Sequence, residues 1–259
     1  MKNKRTLYLI VIAALAVAAI AYGTIKHLGP GHLSLNTDKD NFAFTWTPAN
    51  QTTVRKKLDA FDRVDVHLDN TDITLQSGDD YAMVYRGPKG TRPTLTVKDG
   101  VLSAKASKTK RLTKSDAELI ITIPRSRAEL KSLTLTSDNG DLTVEPSQTL
   151  TVETLTLDSQ NGDIDLDTCA GTTLKATTAN GDIDIERTAF TAATLTTDNG
   201  DISASPADSL RHYTISAKTD TGDIEIGDSE YDAGSIRVGH GDKQITAHTD
   251  TGDIDIEND

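Results

Sequence analysis

Six times between residues 133 and 256 the chain returns to one twelve-residue pattern: LTLTSDNGDLTV (133–144), LTLDSQNGDIDL (155–166), LKATTANGDIDI (174–185), ATLTTDNGDISA (193–204), ISAKTDTGDIEI (215–226) and ITAHTDTGDIDI (245–256). The central glycines, Gly140, Gly162, Gly181, Gly200, Gly222 and Gly252, are 22, 19, 19, 22 and 30 residues apart. A period near 20 marks a stack of short repeats. Each copy places apolar residues seven and five before its glycine, alternating with Thr, Ser or Lys, which is the period of a strand with one buried face. After the glycine, apolar residues resume at two and four. The buried phase has moved by one residue, which would turn a flat strand inside out. A sharp corner at Asn-Gly or Thr-Gly absorbs the shift, with glycine taking a conformation other residues resist. Each copy therefore reads as strand, corner, strand and variable return loop, and stacked copies share one narrow core. The fold class expected is all-β: a single-stranded β-helix or β-roll solenoid, preceded by one N-terminal transmembrane helix.

Composition fits a thin core. Aromatic residues make up 4% of the 259, so the interior is built from small aliphatics and Thr rather than rings. Cys169 is the one cysteine, which excludes an internal disulfide framework and a cysteine-clustered metal site. The net charge of −12 is divided unevenly: residues 1–131 carry 21 Lys and Arg against 13 Asp and Glu, and residues 132–259 carry 6 against 26. An acidic half with few cations argues against nucleic acid as a partner.

Four segments follow. In residues 1–28, Lys2, Lys4 and Arg5 precede an uncharged run from Thr6 to Ile25. Twenty helical residues span the roughly 30 Å of bilayer hydrocarbon, and the cationic flank stays in the cytoplasm. The expected localisation is a single-pass cell-membrane protein, its body outside the cytoplasm and residues 6–25 in the lipid. A cleaved signal peptide ending near Ala19-Ile20-Ala21 is the competing reading. Residues 29–57 read as a linker, in which Phe42, Phe44 and Trp46 alternate as in an edge strand or a membrane-surface segment. Residues 58–131 read as degenerate coils forming a cap: VDVHLDNTDITL (64–75) matches the repeat with Thr71 in place of glycine, LTVKDGVLSA (95–104) is a hairpin with an Asp-Gly turn, and ELIITIP (118–124) is a strand stopped by Pro124. Residues 132–259 form the repeat region, whose acidic tail Glu257-Asn258-Asp259 would discourage strand addition at the end of the stack.

FDRVDVHLDNTDITLQSGDDYAM, LTVKDGVLSA, LIITIP and LKSLTLTSDNGDLTV occur in that order. Together they resemble the bacterial putative-adhesin β-strand repeat family, some of whose members are LiaG-like membrane-anchored envelope proteins. The resemblance covers residues 58–259. It implies a single-stranded β-helix or β-roll outside the membrane and no known enzymatic activity.

Asp follows the glycine in every copy, and a second acid often follows two residues later. Stacking lines these carboxylates up at about 5 Å, where like charges repel. One reading offsets the repulsion with backbone N–H donors at each corner or hydroxyls of the Ser/Thr column. Another places calcium between coils, with Asp163, Asp165, Asp182, Asp184, Asp201, Asp223 and Asp253 as candidate ligands. Known calcium loops fit poorly: the run starting at Asp163 has Thr168 where glycine is needed and Leu174 where Glu is needed. Lys105, Lys108, Lys110, Arg111 and Lys114 form a solvated loop or a contact with anionic lipid or wall polymer. No paired-histidine, nucleophile-elbow or dinucleotide motif occurs, and acids repeated in every coil mark architecture rather than a catalytic pair. Catalytic and cofactor residues are therefore expected to be absent, and the glycines to be structural turns. The expected role is a non-enzymatic, adhesin-like structural or binding protein of the cell envelope, its partner an envelope protein or wall polymer. The alternatives are a carbohydrate-binding module stacking on Trp46, Tyr81 and Tyr85 or, further off, a polysaccharide-acting enzyme.

Overall fold

The computed structural model describes residues 31–38, 41–48, 51–105 and 117–258. The expected membrane span over residues 6–25 and most of the cationic loop from Lys105 to Lys114 lie outside these residues. Contacts divide the chain into a unit ending at Gln51 and a larger one from Thr52. The smaller unit contains one antiparallel hairpin, Gly31–Asp38 with Asn41–Pro48. Residues 29–57, read from sequence as a linker, thus carry three strands; the third, Gln51–Lys57, joins the large sheet assembly.

The described residues of the larger unit are all-β, with two single turns of 3-10 helix among them. Each repeat crosses two sheets. The strand before the glycine pairs in parallel with its equivalents, so that Leu133, Leu155, Leu174 and Leu135, Leu157, Ala176 form columns. The strand after the glycine does the same in the second sheet, with Leu142, Ile164, Ile183 and Ile202 in one column. These columns are buried. Each coil offers its neighbours an unpaired strand edge, and in-register stacking satisfies it.

Several features differ from the sequence reading. The return segments are strands rather than loops: Leu150 pairs with Cys169, and Ala170 with Ala189. They re-enter the sheet through a second bend at Thr168 and Arg187, both left-handed (φ 49°). No glycine marks these bends; Asp167 ties them, accepting from the Thr168 hydroxyl (2.6 Å) and pairing with Arg187 (2.6 Å). Cys169 is consequently not in a loop. It is buried in the core, its thiol pushed up by burial.

The order of stacking also differs from the order of sequence. The copy at 245–256 does not follow the copy at 215–226; it lies between it and the copy at 193–204. The chain passes over one rung, builds the last one, covers it with the antiparallel strands Ser229–Tyr231 and Gly234–Val238, and returns to fill the gap. The 30-residue interval before the final copy is this covering excursion. The acidic tail accordingly does not guard an end: Asn258 donates to the carbonyls of Pro206 (3.1 Å) and Asp208 (2.9 Å), pinning the link that skipped a rung.

The opposite end is built alike. The coil 63–78 stacks against 129–145, and beyond it lies a coil made of Val101–Lys105 and Glu118–Pro124. Antiparallel strands Thr94–Lys98 and Ala82–Pro88 cover that coil. The Asp-Gly hairpin is as expected, with both turn residues at positive φ (Asp99 52°, Gly100 76°). The described residues therefore contain eight stacked coils, which spread over about 34 Å at the usual strand spacing.

Positive φ was expected at every corner glycine. It occurs at Gly181, Gly200, Gly222 and Gly252, not at Gly140 or Gly162. The requirement common to all six is close approach. A Cβ on Gly181 would lie far inside van der Waals distance of the Gly162 carbonyl oxygen, and each of the others meets the carbonyl of the corner before it in the stack. Gly234 also has positive φ (141°), but a Cβ there meets nothing within 4 Å. Gly181→Ala is expected to destabilise the protein by about 2–3 kcal/mol or more, the cost of overpacking against rigid backbone. Gly234→Ala bears only the backbone strain and should cost less; urea titrations of the two variants measure the difference.

Candidate functional site

The corner column holds most of the residues that the sequence singles out. Three ladders of hydrogen bonds run along it, and all donate in the same direction, toward the coil 63–78. In the first, the buried hydroxyl three before each glycine donates to the preceding corner's carbonyl: Ser159 to Gly140 (3.1 Å), Thr178 to Gly162 (3.0 Å), Thr197 to Gly181 (3.0 Å), Thr249 to Gly200 (2.9 Å) and Thr219 to Gly252 (2.9 Å). These hydroxyls point inward, where an unsatisfied group is costly. The sequence reading offered them to carboxylates; they serve glycine carbonyls instead.

The second ladder uses the aspartates. The backbone N–H of Asp163 donates to Asp141 Oδ1 (2.9 Å), that of Asp182 to Asp163 (2.9 Å), Asp201 to Asp182 (2.8 Å), Asp253 to Asp201 (2.8 Å) and Asp223 to Asp253 (2.8 Å). Each carboxylate from Asp253 down to Asp141 thus receives a charge-assisted bond from the next coil, which offsets the repulsion along the column. The third ladder is side-chain amide to side-chain amide: Asn139 to Asn70, Asn161 to Asn139, Asn180 to Asn161 and Asn199 to Asn180, at 2.9–3.2 Å. Thr251 and Thr221 replace Asn in the last two coils.

Thr71 fits the column without being glycine. Its carbonyl accepts from Ser137 (3.1 Å), and Asp72 Oδ1 accepts from the Asp141 amide (3.1 Å). Asn70-Thr71-Asp72 is therefore the first corner of the ladder.

The second acids lie apart, on the outer face of the post-glycine sheet. Thr143, Asp165, Asp184, Ser203, Asp255 and Glu225 stand in register there. Burial and then the neighbouring carboxylates Asp184, Asp163 and Asp141 raise the Asp165 pKa. Burial and then Glu186 raise that of Asp184, against a hydrogen bond from Ser203. The calcium candidates thus fall in two places: Asp163, Asp182, Asp201, Asp223 and Asp253 on the corner, and Asp165 and Asp184 on the flat face. Among the described residues, no group of three or more His, Cys, Asp or Glu is gathered as a metal centre requires.

Of the three rings proposed to stack on sugars, Tyr85 is unavailable. It is fully buried, its hydroxyl bonded to the Pro88 carbonyl (3.1 Å) and Thr91 Oγ1 (2.7 Å). Tyr81 is half-buried against Phe61, with ring centroids 4.7 Å apart.

A two-sheet stack of coils sharing one polar corner column is a repeat architecture whose constant residues are structural. The chain belongs to the Toastrack DUF4097 family, which matches residues 61–228 and 129–257. Similar solved structures include a putative adhesin from Bacteroides fragilis (17% identity, TM-score 0.46, covering 82% of this chain and 98% of that one). Two others are a putative cell adhesion protein from Clostridium sporogenes (9%, 0.34, 81% and 100%) and a putative lipid binding protein from Parabacteroides distasonis (12%, 0.34, 82% and 97%). No functionally curated protein matches the chain.

Two measurements check this account. Thr178→Val keeps the volume but strips the Gly162 carbonyl of its buried donor, and should cost about 1–3 kcal/mol in chemical denaturation. Asp184 carries a pKa raised above its ordinary 3.8, so its charged form opposes folding. That opposition is full above the raised pKa, falls as pH drops through it, and is gone below the unfolded value. Asp184→Asn should therefore raise the melting temperature at pH 7, and the gain should vanish near pH 3.

Proposed function

We propose that the chain is a non-enzymatic, membrane-tethered β-solenoid whose long sheet faces bind a partner in the cell envelope, in an adhesin-like or structural role. The observation that carries this reading is the employment of the repeated polar residues. The corner hydroxyls donate to glycine carbonyls, the carboxylates accept backbone N–H groups and the side-chain amides bond each other, coil after coil. What remains outward is a broad surface of short polar side chains on flat parallel strands. Thr134, Thr156, Lys175, Thr194, Thr246 and Ser216 form one such register line. Preorganised strands present these groups at a fixed spacing, which suits an extended partner more than a small substrate.

The uncharged run over residues 6–25 supports the tether, and the cationic flank before it supports an extracytoplasmic body. A wall polymer is the second candidate partner, favoured by the repeating hydroxyl face and weakened by the burial of Tyr85.

Photo-crosslinking in intact cells, with the crosslinker at Thr156 or Thr194, distinguishes these. An adduct to one envelope protein supports the first reading. A glycan adduct, matched by binding of the full chain on a glycan array, supports the second. Release of shortened polysaccharide by the purified chain would overturn the non-enzymatic assignment.

A further inference from the structure

The charge division read in the sequence becomes, in the fold, a polarity along the stack. At one end the outermost strands are Gln51–Lys57 in one sheet and Thr94–Lys98 in the other. Exposed on these strands and the turn beside them are Arg55, Lys56, Lys57, Lys89, Arg92 and Lys98. Lys57 is paired with Asp80 (2.9 Å), and Asp79 with Arg125 (2.9 Å). The other five cations make no ion pair among the described residues, and the unpaired acids near them are Asp59 and Asp99. The far end is the reverse. Asp223, Glu225, Asp228, Glu230, Asp232 and Asp242 are exposed in and around the covering strands, against the cations Arg237, Arg211 and Lys218, the last paired with Asp220 (2.8 Å).

The chain enters the body at the cationic end, because Gln51–Lys57 is both its first strand in the large sheet and an outermost one. We propose that this end is a docking surface for anionic phospholipid headgroups, so that the stack stands on the membrane with its acidic end outward. The inference rests on the membrane tether proposed above. The tether precedes the first edge strand in the chain, and basic residues that come within a Debye length of an anionic surface are attracted to it. Cations on edge strands also discourage strand addition, but that role carries no dependence on lipid charge.

Hydrogen exchange on the full chain in nanodiscs tests the docking. Discs of neutral phosphatidylcholine are compared with discs containing about one third phosphatidylglycerol. Exchange across residues 51–57 and 94–98 should slow by about threefold or more in the anionic discs. About 0.5 M salt should abolish the slowing, as should the variant Arg55→Gln/Lys56→Gln/Lys98→Gln. Exchange at 229–238 should be indifferent to the lipid, and unchanged protection of 133–135 verifies that the variant is folded. Equal exchange in both discs, with the chain retained, overturns the docking and leaves the tether standing. A chain that does not co-elute with the discs overturns the tether and the docking that depends on it. Protection that rises at both ends with protein concentration assigns the cationic end to the acidic end of a second copy and overturns the lipid assignment.

Discussion

Successive corners approach so closely that the carbonyl of one sits where the Cβ of the next would be. The whole stack depends on this contact. Strands in a sheet keep a spacing of about 4.8 Å along their length, but a chain that turns sharply between two sheets must also bring its turns together at that spacing. Glycine makes the turns thin enough. Thin turns leave a carbonyl facing the interior and an amide nearer the surface, and two of the three ladders satisfy them. The inward Ser or Thr completes a carbonyl, the Asp carboxylate completes an amide, and the Asn side chains bond to each other. A change at one position of the motif therefore removes a partner from the next coil, which is why four residue types recur together.

Because all three corner ladders donate the same way, the stack has two unlike ends. The Asn70-Thr71-Asp72 corner only accepts from the repeat above it, and tolerates a side chain on Thr71. The coil 213–226 gives its donors to the coil 243–256 and needs another kind of cover. The excursion Ser229–Val238 supplies it, pairing antiparallel with both strands of that coil and ending the parallel ladder. Covering before filling lets the chain seal its own end without an added domain. It also makes the contacts of the final copy with the copy at 193–204 non-local in sequence, and contacts of this kind slow folding.

Much of this was legible in the residues because the interactions are local to the motif. The shift of buried phase across each glycine, the strand on either side, the Asp-Gly hairpin and the strand ending at Pro124 are all encoded within a dozen residues. The return legs were not, because their bend at Thr168 and Arg187 uses a threonine and an arginine held left-handed by Asp167, without the glycine that ordinarily signals it. Rung order was not legible either. Copies at 215–226 and 245–256 are so alike that either fits either slot, and only the length of the intervening excursion and the contacts of Asn258 choose between them. For the acids, periodicity gave the column but not the donor. A carboxylate one residue after a glycine can bond its own corner or its neighbour's, and the choice depends on stacking register.

The division of labour between corner and face bears on function. Residues that hold the coils together lie at the corner, at the inward positions and at the second bend of Asp167 and Arg187, which leaves the outward positions of the strand before the glycine without that duty. Along one register line they read Thr134, Thr156, Lys175, Thr194, Thr246 and Ser216, where a lysine stands among hydroxyls without disturbing the coil. A scaffold of this kind can change what it binds by changing outward residues one at a time, at little cost in stability. It can also set its charge end by end, since each rung contributes separately. The concentration of acid in later coils and of lysine and arginine in the first strands is an instance: the same core columns continue through both, while the surface they carry passes from cationic to anionic.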